Sequence, residues 1–320
     1  MMSKRSEIFE KSNINDLFVR ADVKQQDSEV LAVEPYSYWK SVFREFKKKK
    51  SAVVSLVLLV IIILLAILVP ILSKYDVLVA DIPKPNEPIG PDLKHLFGRN
   101  KAGIDIFTLV WTGARASLMI AFAVSIINVI VGLIMGTLWG YFRKMDLIML
   151  EVYNFVTNIP SMLYYMILVY IFSSLGNIPP MFSLVIAMTL TGWIGLARFI
   201  RDQILIISNR EYNVASRTLG TPAKRIILYN LLPYILTVIV TQVSLQIPAV
   251  IGTEVSLSYF GIGLPIDAVS LGRILSNSYK SWMANPHILF FPALVVGLIT
   301  IIFYLIGLAL ADALDPKTHR

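Results

Sequence analysis

One aliphatic segment constrains the fold more than any other feature of the chain. It runs from Ser51 to Ser73 as SAVVSLVLLVIIILLAILVPILS, without a charged side chain. An α-helix needs about 20 predominantly apolar residues to cross a hydrocarbon core about 30 Å thick. The segment therefore predicts a transmembrane helix. The composition agrees with a chain that lies mostly in lipid, because 56% of its 320 residues are hydrophobic and only 16% are charged.

Charge-free intervals elsewhere in the chain predict five more spans. The interval between Glu151 and Arg198 is too long for one helix, and the turn-forming SSLGNIPP from Ser173 to Pro180 divides it in two. The predicted fold class is thus an all-α polytopic membrane protein with six transmembrane helices. The other three intervals lie between Arg115 and Arg143, between Arg225 and Glu254, and between Lys280 and Asp312.

Prolines and glycines inside the spans predict local features of these helices. Pro160 and Pro248 are expected to kink the third and fifth spans, because a proline removes a backbone hydrogen bond. Gly132 and Gly136, four residues apart in the second span, have the spacing that lets two membrane helices approach closely.

The distribution of basic residues predicts the orientation. Most of the 29 Lys and Arg residues lie in residues 1–50 and 198–225, which the positive-inside rule assigns to the cytoplasm. Both termini are then cytoplasmic, and residues 74–112 and 260–286 face outward. Because this bias accounts for most of the net charge of +8, we expect no nucleic-acid partner. The predicted location is the cytoplasmic membrane, with several passes.

The N-terminal 50 residues are predicted to be a cytoplasmic segment that precedes the first span. Within it, residues 36–47 carry Tyr36, Trp39, Phe43 and Phe46 at helical spacing between basic residues, which favours a helix in the lipid headgroup layer. A disordered basic leader remains the alternative. No structure is assigned to residues 1–34. The remaining divisions are the first span with its outer loop, 51–112, five further helices, 113–312, and a cytoplasmic tail, 313–320.

The reactive side chains argue against catalysis by this chain. It has no Cys, and its three His residues, His95, His287 and His319, are far apart in sequence. It also has no GxxxxGK[ST] loop to hold a nucleotide. We therefore predict no catalytic, cofactor or metal site, and the protein is not expected to be an enzyme.

The connection between the fourth and fifth spans, residues 208–225, predicts a hairpin of two short helices. Ser208 and Glu211 have the spacing of a capping box, and Gly220 is placed to end the first helix in a left-handed conformation. Thr221 and Pro222 are then expected to begin the second helix, with Thr as its cap and Pro at its first position.

The first helix of this hairpin has two distinct faces. Tyr212, Ala215, Ser216 and Leu219 share one face, and the other face carries Arg210, Asn213 and Arg217. Two interpretations remain open from the residues alone. The hairpin is either a well-capped loop or a rigid element that docks a soluble partner.

The hairpin sequence resembles the EAA loop of bacterial binding-protein-dependent ABC permeases. In VASRTLGTPAKRIILYNLLP, Ala215, Gly220 and the Leu232–Pro233 pair match that pattern. The sequence departs from the pattern at three other positions, which are Val214, Ser216 and Asn230.

Three further segments resemble oligopeptide and dipeptide permeases, and above all their C-type subunit. Together with the EAA-like loop, the resemblance covers roughly residues 36–320. The segments are FGRNKAGIDIFTLVWTGARASL from Phe97, GTEVSLSYFGIGLP from Gly252 with the following SLGRIL, and the C-terminal LADALDPKTHR. In the first of these segments, Arg99, Asn100 and Ile104 depart from the family pattern.

This resemblance implies a type I ABC importer permease fold, in which residues 113–312 form the ABC transporter type-1 transmembrane domain. It implies a subunit of an ATP-driven importer of oligopeptides or dipeptides. The implied partners are a second, homologous permease, an extracytoplasmic peptide-binding protein and two cytoplasmic ATPase subunits, which would bind the ATP and Mg. The hairpin residues implied to contact the ATPases are Glu211, Tyr212, Ala215, Ser216, Arg217, Leu219, Gly220, Thr221 and Pro222.

Two other functions remain as alternatives. The same machine could carry a nickel or other metal chelate, since relatives of this architecture do so. An ion-coupled secondary transporter would instead need intramembrane ionisable residues, and Glu254 is the candidate for one.

Glu254 lies at the end of a charge-free run and is predicted either to line the translocation path or to lock the local structure. A carboxylate in the bilayer must be paired, protonated or hydrated. Thr253, Ser256 and Ser258 are the local partners that favour the lock. Gln246 and Asn158 are further candidates for the path or for such a lock.

Overall fold

The computed structural model describes residues 38–77, 89–174, 176, 178–262, 264, 268–279 and 281–314. The chain divides into two compact units, Met1–Ser41 and Val42–Arg320. Of the first unit, only the beginning of one helix is described. The predictions for residues 1–34, for Tyr36 and for the tail beyond Leu314 therefore lie outside the described residues.

The described residues form a series of helices, and the only β-bridge among them joins Arg99 to Asp105. A π-helical stretch, Ile226–Leu231, connects the helices Ala223–Arg225 and Leu232–Tyr259. The helices are α1 (Tyr38–Lys48), α2 (Lys50–Leu72), α3 (Ile106–Tyr141), α4 (Arg143–Thr157), α5 (Ser161–Ser174), α6 (Pro180–Gly192), α7 (Ile194–Ser208), α8 (Glu211–Thr218), α9 (Ala223–Arg225), α10 (Leu232–Tyr259), α11 (Leu271–Ser278) and α12 (His287–Leu314).

Between four and six candidate membrane spans are present in the described residues. Four are unbroken: α2, α3, α12 and the stretch Pro180–Ser208, which combines α6 and α7. Two more arise if each bent pair is one span: α4 with α5, bent by 88°, and Ala223–Ile235 with Ile239–Tyr259, bent by 62°. The helical membrane fold is thus confirmed, and the number six stays a prediction.

The two predicted proline kinks have different outcomes. Near Pro160 the chain does more than kink, because α4 ends at Thr157 and α5 starts at Ser161 in a new direction. Helix α10 instead continues through Pro248, and its sharp bend lies between Ile235 and Ile239. A proline removes only one bond of the helical ladder, so a long helix can run through it. Pro248 is therefore not the site of the sharp bend.

The predicted close approach of helices at Gly132 and Gly136 is confirmed. Helix α7 packs along this side of α3, where a Cβ on Gly136 would lie 2.6 Å from the carbonyl oxygen of Ala197. Gly140 continues the row, with Ile204 equally close to the place of its missing Cβ. Only glycine allows α3 and α7 this separation.

Helix α2 packs through a narrow stripe and otherwise presents aliphatic side chains outward. Exposed aliphatic side chains suit a helix whose solvent is lipid. Lys49, just before α2, forms an ion pair with Asp312 near the end of α12, so these two helix ends lie together. The buried residues of α2 are Ala52, Ser55, Ile62 and Ala66.

Helix α1 confirms that the basic leader before the first span is helical from Tyr38 to Lys48. Val42 and Phe46 are buried, Phe43 is exposed, and the Lys47 ammonium lies 4.4 Å from the centre of the Phe43 ring. Its position in the headgroup layer stays a prediction.

Candidate functional site

The hairpin after α7 directs its polar side chains inward. Asn213 is fully buried, donates from Nδ2 to the carbonyl oxygen of Ile207 at 2.8 Å, and accepts a hydrogen bond from Asn230 at 2.9 Å. Arg217 donates from its guanidinium to the carbonyl oxygen of Ser208. Helix α8 is therefore fixed to the end of α7 and to the π-helical stretch by hydrogen bonds.

The opposite face of α8 is exposed. Leu219 is 85% exposed and Tyr212 is 43% exposed, and Ala215 lies on the same surface. Large apolar side chains held out by a rigid bend suit contact with another protein. Of the residues predicted on this face, Ser216 is half-buried and donates to the carbonyl oxygen of Tyr212 within its own helix.

The predicted capping box at Ser208 and Glu211 is wrong. Ser208 is the last residue of α7, and its hydroxyl donates back to the carbonyl oxygen of Leu205. Helix α7 extends this far because Ile204 and Ile207 are buried against neighbouring helices. Glu211 does begin α8, but it follows Arg210, which supplies no side-chain cap.

The predicted turn at Gly220 is confirmed. Its φ is +78°, a conformation that L side chains avoid. The N–H of Gly220 bonds to the carbonyl oxygen of Arg217, and the N–H of Thr221 bonds to that of Ser216. These two bonds form a Schellman motif, which satisfies carbonyl groups at the end of α8.

The predicted restart at Thr221 and Pro222 is wrong in detail. Helix α9 begins at Ala223, so Pro222 lies just before the first helical position and no side chain caps the helix. The reason is that Thr221 already closes the Schellman motif through its backbone, while Pro222 is extended, with ψ at 144°. An open pocket of about 690 Å³ adjoins this turn and is lined by Pro222, Lys224, Arg225, Leu228, Tyr229 and Asn230.

A cluster of charged and aromatic side chains joins α3, α4 and α7, the helix that leads into the hairpin. Arg201 binds Asp146 through two hydrogen bonds of 2.8 Å, and Trp139 donates from its indole N–H to the same carboxylate at 2.8 Å. Arg201 also binds Asp202. Arg198 lies over the ring of Trp139. The sequence analysis missed this cluster, because Asp146 and Arg201 are 55 residues apart and each resembles an ordinary charge at a span's end.

Glu254 is buried, with 1% of its surface exposed, and is held by three hydroxyl groups. Ser117 donates to Oε2 at 3.0 Å, and Ser258 and Ser270 donate to Oε1 at 3.1 and 2.7 Å. Of the expected local partners, only Ser258 makes this contact. Thr253 and Ser256 donate instead to carbonyl oxygens of α10 itself.

The same hydroxyl groups fix the start of α11. Ser117 accepts a hydrogen bond from the N–H of Leu271, and Ser270 caps the helix by accepting one from the N–H of Arg273. Gly272 leaves room for the carboxylate, since a Cβ there would lie 2.8 Å from Oε1 of Glu254. Glu254 therefore links α10 to α3 and α11.

Gln246 and Asn158 do not join Glu254 in one site. Gln246 is half-buried, and its Oε1 has no hydrogen-bond partner among the described residues. Asn158 is exposed at the end of α4, where its N–H bonds to the carbonyl oxygen of Asn154. Both stay candidates on sequence grounds.

The segment before α3 is a tightly bonded loop. Asp105 caps α3 by accepting hydrogen bonds from the N–H and hydroxyl of Thr108, and His95 lies 2.9 Å from the same carboxylate. In this loop the N–H of His95 holds the pKa of Asp92 below its usual value. No group of three potential metal ligands occurs in the part of the chain that is described.

These features define a helical, multi-pass membrane protein with a rigid exposed hairpin. A family model described as the binding-protein-dependent transport system inner membrane component matches residues 128–320. The chain belongs to this family. A second model, the N-terminal TM domain of oligopeptide transport permease C, matches residues 37–88.

Individual relatives narrow the similarity within the family. The oligopeptide transport system permease protein AmiD of Streptococcus pneumoniae is 42% identical over 304 residues, which cover 93% of this chain and 96% of AmiD. OppC of Bacillus subtilis, another oligopeptide permease, is 34% identical over 95% of this chain and 98% of its own. The dipeptide permease DppC of the same organism is 33% identical, over 96% and 94%. The resemblance to peptide permeases is confirmed.

Proposed function

We propose that this chain is the C-type permease subunit of an ATP-driven importer that carries oligopeptides or dipeptides across the cytoplasmic membrane. The observation that carries the proposal is the hairpin, which is fixed from within by Asn213 and Arg217 and exposes Tyr212 and Leu219. A loop that only connects two spans would not need large exposed apolar side chains on a rigid scaffold.

The exposed face of α8 is the proposed docking surface for one of the two ATPase subunits, which bind the ATP and Mg. Leu219 and Tyr212 have the size of anchor side chains that fill pockets in a partner. Glu211, Thr221 and Pro222 are proposed as further contacts of the ATPase, Arg217 holds α8 from its other face, and Gly220 sets the angle between the two arms. The adjacent pocket beside Lys224 and Tyr229 could receive a complementary segment of the same partner.

Force on the hairpin has a physical route into the membrane. Helix α8 is bonded to the end of α7, and Arg201 on α7 is bonded to Asp146 on α4. A displacement of α8 would therefore move α7 and the bent α4 and α5 pair together. Rigid-body rocking of such groups between two arrangements is a general mechanism of switching.

The remaining parts of the machine follow the same proposal. A second, homologous permease completes the translocation path, an extracytoplasmic binding protein delivers the peptide, and both termini of this chain face the cytoplasm. The relatives described above are oligopeptide and dipeptide permeases, which favours peptides over a metal chelate as the cargo. Glu254 is proposed to lock the structure, because it is buried and three hydroxyl groups donate hydrogen bonds to it.

Reconstitution tests this function directly. The chain is purified with the second permease, the ATPases and the binding protein encoded beside it, and labelled peptides of graded length and a nickel chelate are offered to proteoliposomes. We expect the ATPases to co-purify and peptide uptake to require ATP. ATP-dependent uptake of the chelate alone would overturn the cargo, and a chain that retains no ATPase would overturn the function.

A further inference from the structure

A pocket lined by both apolar and polar side chains lies between the loop that precedes α3 and the helix α11. Its volume is about 480 Å³, and its walls include side chains of both elements. It sits at the ends of α3 and α12, beside Ile106 and Ile288, and not along their lengths. In the proposed orientation this end faces outward. Its polar lining residues are Asn100, Lys101, Arg273, Asn277, Ser278 and Ser281.

The charge in this pocket is one-sided. Lys101 and Arg273 both line it, whereas no Asp or Glu is among its described lining residues. The Nε of Arg273 is buried and has no hydrogen-bond partner in the described part of the chain. A buried donor without a partner costs free energy, so a ligand that accepts its hydrogen bond gains that energy on binding.

Both cations are held on fixed backbone. The N–H of Arg273 bonds to Ser270, which is bonded in turn to Glu254. Lys101 lies in a turn whose flanking N–H groups, of Ala102 and Ile104, bond to the side chain of Asn100. A preformed site loses little conformational entropy when a ligand binds.

We propose that this pocket binds a carboxylate side chain of the extracytoplasmic binding protein when that protein docks to deliver its cargo. The inference rests on the proposed function. Arginine presents parallel N–H groups that match a carboxylate, and the neighbouring amide and hydroxyl groups supply further donors. We assign the carboxylate to the binding protein because the pocket lies at the outer ends of the helices, where that protein would dock, and not inside the helix bundle.

This assignment extends beyond the resemblance used above. The resemblance assigns no role to Lys101, which lies in GRNKAGID, or to Arg273, which lies in SLGRIL. Positive charges at this position would affect which binding protein the chain accepts. Complementary charge acts mainly on specificity and on the rate of association.

The test measures affinity between the assembled transporter in nanodiscs and its peptide-loaded binding protein. Lys101→Gln combined with Arg273→Gln should weaken the affinity by about tenfold and reduce its dependence on salt. Arg273→Lys should retain only part of the affinity, because lysine keeps the positive charge but lacks the parallel N–H groups. The matched control is Lys94→Gln, which removes an exposed charge from the same loop outside this pocket and should leave affinity unchanged.

Compensation identifies the partner group. Each acidic residue of the binding protein is replaced in turn. One Glu→Arg variant of the binding protein should bind the Arg273→Glu permease with restored affinity and should no longer bind the wild-type permease. Equal affinity of the double variant and the Lys94→Gln control would overturn the proposal.

Two other outcomes would also overturn it, by assigning the pocket to another ligand. One is a defect confined to cargo with a free C-terminal carboxylate, with docking unchanged. The other is an affinity that depends on anionic lipid in the nanodisc and not on the binding protein's charges. Failure of the proposed function is distinguishable, because the wild-type complex would then show no docking and no ATP-driven uptake.

Discussion

Arg201 and Asp146 form a forked ion pair, in which Nε lies 2.8 Å from Oδ1, and Nη2 lies 2.8 Å from Oδ2 and 2.7 Å from Oδ1. The pair joins α7, which leads into the hairpin, to α4, which begins the sharply bent pair of helices. Contacts through both nitrogens and both carboxylate oxygens fix orientation as well as distance. The pair therefore transmits a rotation of α7 to α4 more faithfully than apolar packing alone would.

Asp146→Asn should uncouple the hairpin from α4. The guanidinium of Arg201, which is 12% exposed, would lose its main charged partner, so we expect the complex to lose about 1–3 kcal/mol of stability. Thermal unfolding of the purified complex measures this loss. Peptide-stimulated ATP hydrolysis should also fall more than basal hydrolysis, because the ATPases still dock.

Asp202→Asn is the matched control for this prediction. Asp202 also binds Arg201, but its side chain is 45% exposed, so its loss should cost less than about 1 kcal/mol. Exchange of the two charges, Asp146→Arg with Arg201→Asp, should restore part of the coupling. Equal effects of Asp146→Asn and Asp202→Asn would contradict the special role of the forked pair.

Gly220→Val should weaken the grip of the ATPase subunits. A β-branched side chain at a φ of +78° costs about 1 kcal/mol or more, so the turn would relax and change the direction of Leu219. The ATPases should dissociate more readily in detergent, and uptake should fall. Docking of the binding protein, on the opposite face, should persist.

A second glycine separates strain from position. Gly176 also has a positive φ, +75°, and open space where its Cβ would be, but it lies between α5 and α6, at the far end from the hairpin. Gly176→Val should therefore keep normal ATPase retention. If Gly220→Val also retained the ATPases and transported peptide normally, the bend would be only a tidy loop.

The proposed orientation can be checked by labelling single cysteines. The chain has no native Cys, so each introduced thiol reports on its own position. Leu219→Cys, at a site that is 85% exposed, should react only with reagent on the cytoplasmic side. Leu93→Cys, at a fully exposed site in the loop before α3, should react only from outside. The reverse pattern would invert the topology.

The sequence predicted what depends on solvent and on backbone stereochemistry. Lipid requires apolar spans, so the charge-free intervals predicted the ends of α2, α3 and α12 to within a few helical turns. Gly220 was predictable because few other residues adopt its φ. Helix α3 nevertheless begins at Ile106, well before Arg115, because Asp105 caps it by accepting hydrogen bonds from the N–H and hydroxyl of Thr108.

Contacts between residues that are far apart in the sequence could not be predicted from sequence patterns. The capping box failed because the buried Ile204 and Ile207 extend α7 over the expected cap. The forked pair was missed since neither charge is unusual by itself. For Glu254, the sequence offered neighbours on the same helix, whereas two of its three partners, Ser117 and Ser270, come from other parts of the chain.

Glu254→Gln should destabilise the complex before it impairs transport. An amide cannot accept at both ends, so one of the hydroxyl groups from Ser117, Ser258 or Ser270 would lose its acceptor, at about 1–3 kcal/mol. Ser270→Ala should act in the same direction, because it removes both a partner of Glu254 and the cap of α11. Ser256→Ala is the control, since Ser256 bonds only within its own helix.

Thermal unfolding and reconstituted uptake, measured together, distinguish the two roles of Glu254. Loss of a structural lock lowers stability first, whereas loss of a path residue lowers transport at unchanged stability. A Glu254→Gln complex of wild-type stability and full activity would refute both roles.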